Sequence, residues 1–140
     1  MRTVIFSADF KNLDEIRDFV GDAASEAGFG PRSVYAIQLA TDEACSNIIE
    51  HAYAEIPDGE IECTCNLSDE ELVIMLRDHG RPFDIGSVPD PDLSPDLEKR
   101  QIGGLGIYLM RKLMDKIEYE CTPNAGNILT MKKRLEAAHE

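Results

Sequence analysis

No run of apolar residues in this 140-residue chain approaches the roughly 20 that a membrane-spanning helix requires, so no bilayer segment is expected. The opening Met1-Arg2-Thr3-Val4-Ile5-Phe6 gives way to Ser7, Ala8 and Asp9, and the apolar stretch of a secretory signal is missing. Cysteine is scarce. The four thiols are expected to stay reduced in a cytoplasmic protein. Cys63 and Cys65 form a C-x-C pair on one face of a predicted strand, but a second ligand pair at zinc-binding spacing is lacking, so buried, unreactive cysteines are expected. Positive charge is short as well: 14 Lys and Arg stand against 27 Asp and Glu, for a net charge of −13, which argues against nucleic acid as a partner. Finally, 140 residues suffice for one full hydrophobic core and leave little room for a second module, so residues 1–140 read as a single domain.

The charge that is present is uneven. Residues 1–98 carry 22 acidic and 6 basic side chains, whereas residues 99–140 carry 8 basic and 5 acidic ones. A positive final third serves either as a solvated face or as the neighbour of a small anion, and the glycines at its start favour the anion.

The alternation of Val4 and Phe6 predicts a strand over residues 3–8. Asn12-Leu13-Asp14-Glu15 fits a helix start, with Asn12 capping and Glu15 reaching back. Leu13, Ile16, Val20, Ala23 and Ala27 then trace an apolar stripe that ends near Gly28 and Gly30. Pro31 suits the first turn of a second helix, whose pattern runs through Val34, Ile37, Ala44, Ile48 and Ala52 to about residue 53. Strands are predicted at 60–67 and 71–78, joined by Ser68-Asp69-Glu70. Between Gly80 and Gln101 stand Pro82, Pro89, Pro91 and Pro95, which exclude regular structure and predict a long loop, functional or disordered. Ile107, Met110, Leu113, Met114 and Ile117 mark a third amphipathic helix, and strands at 117–121 and 127–135 close the chain.

Three short motifs carry chemistry. Glu43 and Asn47 lie one helical turn apart on one face, placing a carboxylate that can take a proton beside an amide oxygen that can ligate a hard cation such as Mg²⁺. The same spacing decorates many exposed helix faces. Asp78-His79-Gly80 ends an apolar strand, where the carboxylate can accept from an exocyclic amine and the glycine admits a flat ring; it equally makes an ordinary turn. Gly103-Gly104-Leu105-Gly106 precedes the third helix. Its backbone N–H groups can converge on an anion, with Lys99 and Arg100 upstream as phosphate contacts, or it can be a hinge. His51 reads as a histidine packed at a helix end.

In this order the motifs resemble those of the GHKL family of ATP-binding domains, which includes gyrase and the histidine kinases. Glu43-Ala44-Cys45-Ser46-Asn47 resembles its N-box, Asp78-His79-Gly80 its first glycine box and Gly103-Gly104-Leu105-Gly106 its second. Within the family the chain is most similar to the anti-sigma-factor serine/threonine kinases, through Ala40-Thr41-Asp42-Glu43-Ala44, His51-Ala52-Tyr53, Arg81-Pro82-Phe83-Asp84, Ile107-Tyr108-Leu109-Met110 and Asn127-Ile128-Leu129-Thr130-Met131. The resemblance implies a two-layer α/β sandwich, a mixed, mostly antiparallel sheet with helices on one face. It implies ATP and Mg²⁺ as cofactors, Glu43 as catalytic base, and Asn47 as the metal ligand. Asp78 and Gly80 would hold adenine with Thr130 in support, Gly104, Leu105 and Gly106 would meet the phosphates, and residues 84–101 would form a lid. The implied function is a protein kinase that phosphorylates a serine or threonine of a small anti-anti-sigma antagonist and sequesters a sigma factor, working as a homodimer. The alternative is an ATP-gated protein-binding module without significant kinase activity.

Overall fold

The computed structural model describes residues 1–83 and 105–135, with the side chain of Leu105 excepted. Five strands, β1 (Arg2–Ser7), β2 (Glu60–Ser68), β3 (Glu71–Asp78), β4 (Lys116–Thr122) and β5 (Gly126–Arg134), form one sheet in the order β1-β2-β3-β5-β4. All four pairings are antiparallel, in keeping with the mostly antiparallel sheet expected. Helices α1 (Leu13–Ala27), α2 (Pro31–Asn47) and α3 (Leu105–Leu113) cover one face.

Strict alternation decides that face. Ile61, Cys63 and Cys65 on β2, Leu72, Ile74 and Leu76 on β3, and Leu129 and Met131 on β5 are all buried. They meet Ile16 and Val20 of α1, Ile37, Ala40 and Ala44 of α2, and Ile107 and Met110 of α3. Each large aliphatic side chain in this layer contributes about 1.5–3 kcal/mol of burial. The residues between them, such as Val73, Met75 and Arg77, point to the other side and are only half-buried.

Local signals explain the element ends. Gly28 closes α1 at φ 107°, a left-handed conformation that glycine adopts without strain. Pro31 opens α2. The β2–β3 hairpin turns through Asp69 and Glu70, both at positive φ, as a two-residue turn of this hand demands.

Three local expectations need correction. Asn12 stands at the start of α1 but makes no side-chain cap; its Nδ2 donates instead to the Ser7 carbonyl at 2.9 Å. A short 3₁₀ turn over Phe10–Asn12 intervenes, and Asp9 caps that turn by accepting from the Lys11 N–H at 3.0 Å. The second helix is not regular to residue 53: after Asn47 it widens into a π turn over Ile48–Ala52, with the Tyr53 N–H reaching the Ile48 carbonyl. Ile117 belongs to β4 rather than to the third helix, which ends at Leu113, where Lys133 Nζ donates to its carbonyl at 2.8 Å.

Candidate functional site

The site grows from the junction of three elements: the C-terminal half of α2, the end of β3 and the start of α3. At the end of β3, alternation points Asp78 inward, and it is one of the few buried charged side chains, 4% exposed. Its carboxylate is clamped. Oδ1 accepts from the Gly80 N–H at 2.9 Å and from Asn127 Nδ2 at 2.8 Å. Asn127 faces Asp78 directly across the β3–β5 ladder, is itself 3% exposed, and also donates to the Gly80 carbonyl at 3.0 Å. One buried amide therefore fixes both the carboxylate and the backbone that follows it.

Gly80 is required by a close approach. A Cβ there would lie 2.2 Å from the Ala52 carbonyl oxygen, and the next residue, Arg81, donates its N–H to that same oxygen at 2.7 Å. What the missing side chain admits in this structure is thus the backbone of the π turn. Tyr53 secures the junction from the other side. Its hydroxyl accepts from the His79 N–H at 2.8 Å and donates to the Glu60 carbonyl at 2.6 Å.

On α2, Glu43 and Asn47 share a face as their spacing predicts. Asn47 Nδ2 donates back to the Glu43 carbonyl at 3.0 Å, so the atom of this amide that remains for a ligand is Oδ1. The Glu43 carboxylate abuts the first turn of α3: a Cβ on Gly106 would come within 2.5 Å of Glu43 Oε2. Burial raises the Glu43 carboxyl above the usual glutamate range, helped by the neighbouring charges of Asp42 and Glu50. A carboxylate so shifted is a better proton acceptor than an ordinary surface one.

Between these groups runs a narrow, mostly apolar cleft. Ala44, Asn47, Ile48 and Ala52 line it from α2 and the π turn, Asp78, Tyr119 and Leu129 from the sheet, and Phe83 completes the lining. Phe83 stacks on the His51 ring, centroids 4.7 Å apart and planes 12° from parallel, and its N–H donates to the Tyr119 hydroxyl at 2.8 Å. His51 is thus exposed and ring-stacked at the end of its helix.

The structure brings Glu43, Asn47, Asp78, Gly80 and Gly106 to one junction. It does not bring Thr130 there. Thr130 pairs with Met75 and Glu118, three residues from the Asp78–Asn127 pair, and a strand's period of two turns it to the opposite face of the sheet. Asn127, Tyr53 and Phe83 are further residues of the site, in stretches that carry the resemblance but with no role assigned to them; Tyr119 lies in none of those stretches. Lys99, Arg100, Gly103, Gly104 and the whole of the lid segment, residues 84–101, lie outside the described residues, and of Leu105 only the backbone, which opens α3, is described.

Comparison with known proteins supplies an independent view. The family model described as a histidine kinase-like ATPase domain matches residues 6–133. The serine-protein kinase RsbW of Bacillus subtilis (strain 168) is 30% identical over 125 residues, covering 86% of this chain and 76% of its own length. The RsbW of Bacillus cereus (strain AH187) is 36% identical over 107 residues, covering 74% and 66%. The chain therefore spans between about two thirds and three quarters of these relatives. Among solved structures, the RsbU and RsbW domains of Rv1364c from Mycobacterium tuberculosis match with a TM-score of 0.65 at 16% identity, over 96% of this chain and 32% of that one. The catalytic domain of the histidine kinase ThkA matches with a TM-score of 0.54, also at 16% identity, over 96% and 97%. At such identities the structural likeness establishes the fold.

Proposed function

The chain belongs to the histidine kinase-like ATPase family, among the RsbW serine-protein kinases, and from that premise we propose how its site transfers phosphate. Mg-ATP lies along the cleft, adenine toward Asp78 and phosphates toward Glu43, Asn47 and the start of α3. The observation that carries this reading is the buried Asp78 carboxylate, which lines an apolar cleft together with Asn47, one helical turn from the Glu43 carboxylate that abuts Gly106.

The donor set fits the ligand. With Oδ1 of Asp78 engaged by the protein, Oδ2 is the acceptor assigned to the exocyclic amine of adenine. Ala44, Ile48 and Leu129 give the ring apolar walls. A single amide oxygen, Asn47 Oδ1, suits Mg²⁺, which keeps several waters and is otherwise held by substrate phosphates. When bound, the ion neutralises charge on the phosphates. The backbone N–H groups of Leu105 and Gly106 open α3, where a helix N-terminus favours anions, and Gly104, Lys99 and Arg100 are assigned to the same phosphates.

Glu43 then acts on the acceptor. Its raised carboxyl accepts the proton of an incoming serine or threonine hydroxyl, or orients that hydroxyl for in-line attack on the γ-phosphorus. The acceptor is a small anti-anti-sigma antagonist protein, and its phosphorylation state sets whether the kinase holds a sigma factor. In this reading the protein works in the cytoplasm as a homodimer; the likeness to anti-sigma-factor kinases supports each of these.

Glu43→Ala tests the catalytic step. It is expected to keep Mg-ATP affinity within about twofold and to lower phosphoryl transfer by a factor of about 10²–10⁴, the contribution of a positioned base. Unchanged transfer would remove Glu43 from the base role. Capture of partners on the full chain with Mg-ATP, followed by intact mass, tests the partner: a small protein carrying one added phosphate is expected.

A further inference from the structure

We propose that Phe83 gates the nucleotide cleft and that His51 and Tyr119 hold the gate shut. The inference rests on the ATP-site reading above.

The argument begins with size. The cleft encloses about 20 Å³, room for about one water molecule, whereas pockets for small-molecule ligands measure roughly 300–1,000 Å³. A purine enters only if a wall moves. Among the described residues, every wall but one belongs to a regular element: Ala44 and Asn47 to α2, Ile48 and Ala52 to the π turn, and the rest but Phe83 to β3, β4 and β5. These walls are tied down, since Ala44 is fully buried in the core and Asp78 is clamped across the ladder. Phe83 alone follows the last strand residue, in chain that is neither helix nor strand. Opening therefore falls to Phe83.

Two interactions oppose that movement. The Phe83 ring lies nearly parallel on His51, a side chain that is otherwise exposed, and the Phe83 N–H is held by the Tyr119 hydroxyl. Both favour the shut cleft and are lost or rearranged when it opens. A ligand that binds only the open form shows an apparent affinity reduced by the open fraction. Weakening either contact then strengthens binding, the opposite of what truncating a binding residue does. His51, on the π turn, sets how readily nucleotide enters without touching it.

Calorimetric titration of the full chain with Mg-ATP tests the gate, comparing wild type with His51→Ala, Tyr119→Phe and Phe83→Ala. Asp78→Asn, expected to abolish binding, marks the site. His51→Ala and Tyr119→Phe are each expected to bind about two- to tenfold tighter, the factor that one stacked ring pair or one hydrogen bond contributes. Phe83→Ala is expected to bind at least as much tighter. Because His51 is exposed, its variant reads the gate even if Phe83→Ala fails to fold. Unchanged or weaker binding by His51→Ala overturns the gate while leaving the ATP site intact. Weaker binding by a folded Phe83→Ala makes Phe83 a wall for the purine and also overturns it. Failure of the wild type to bind Mg-ATP at all overturns the nucleotide reading, and the gate with it.

Discussion

In the proposed mechanism Glu43 takes the proton, and its surroundings make a prediction about pH. Burial, then Asp42, then Glu50 raise its carboxyl. As a base it must be ionised, so the rate falls as pH drops through the raised value, and the acid limb of the kcat/KM profile lies above the ordinary glutamate range. Asp42→Asn removes the second of these causes and is expected to move that limb to lower pH while leaving the alkaline side in place; a limb that does not move separates Glu43 from the rate. The stability sign is the reverse of that for a salt-bridged acid. With the folded value above the unfolded one, the carboxyl is a cost at neutral pH, and the cost is relieved as pH falls through the folded value toward the unfolded one. Glu43→Gln should therefore raise Tm at pH 7, with the gain vanishing in acid. Among single residues, the meeting of Glu43, Asn47 and Asp78 was legible from the four-residue spacing of the first two and from the order of the motifs. Asn127 was not. Ile128, an apolar residue, sits on the outer face between the inward-facing Asn127 and Leu129, so the alternation that turns Asn127 inward and Thr130 outward is hidden until the register with β3 is known.

At the scale of elements, the two glycine boxes fail differently when filled. A Cβ at Gly80 meets backbone, the Ala52 carbonyl, whereas a Cβ at Gly106 meets the far end of the Glu43 side chain. Backbone cannot step aside as a side chain can. Gly80→Ala is thus expected to lower unfolding free energy by about 1–3 kcal/mol, as overpacking does, and to lose nucleotide binding. Gly106→Ala should leave Tm within a few degrees and act on kcat by displacing the carboxylate. Denaturant melts beside a kinase assay separate the two. Strands β2 and β3 and their hairpin were readable to within a residue because Ile61, Cys63 and Cys65 alternate with polar residues, and the apolar run Leu72–Leu76 is bounded by charge on both sides. The π turn was not, because Ile48 and Ala52 keep the apolar spacing of an ordinary helix while the backbone widens under them to bring Ala52 against Gly80. Ile117 misled for a related reason: one apolar residue continues a helical stripe as well as it begins a strand.

On the scale of the whole molecule, the thiols report integrity. Cys45, Cys63 and Cys65 are buried, whereas Cys121 is exposed; burial pushes the Cys45 thiol up to about 12. The folded protein should expose one rapidly reacting thiol to a disulfide reagent and release three more on unfolding. Two or more fast thiols would contradict this packing. The expectation of buried, unreactive cysteines thus holds for three and fails for Cys121. The fold class was legible from motif order, since the three motifs recur in one arrangement; the meeting of Phe83 with Tyr119 was not, because it depends on how the chain returns. That return has a consequence of its own. Strands β1, β2 and β3 are neighbours in the sheet, β4 and β5 form a separate hairpin, and among the described residues the one ladder joining the two groups is β3 with β5. Asp78 and Asn127 stand at the end of that ladder, so a nucleotide held there is a clasp across the joint. Hydrogen exchange with and without Mg-ATP should show the added protection concentrated on amides of β3 and β5 and absent from β1, and the same ligand should slow the parting of the two halves when the protein unfolds.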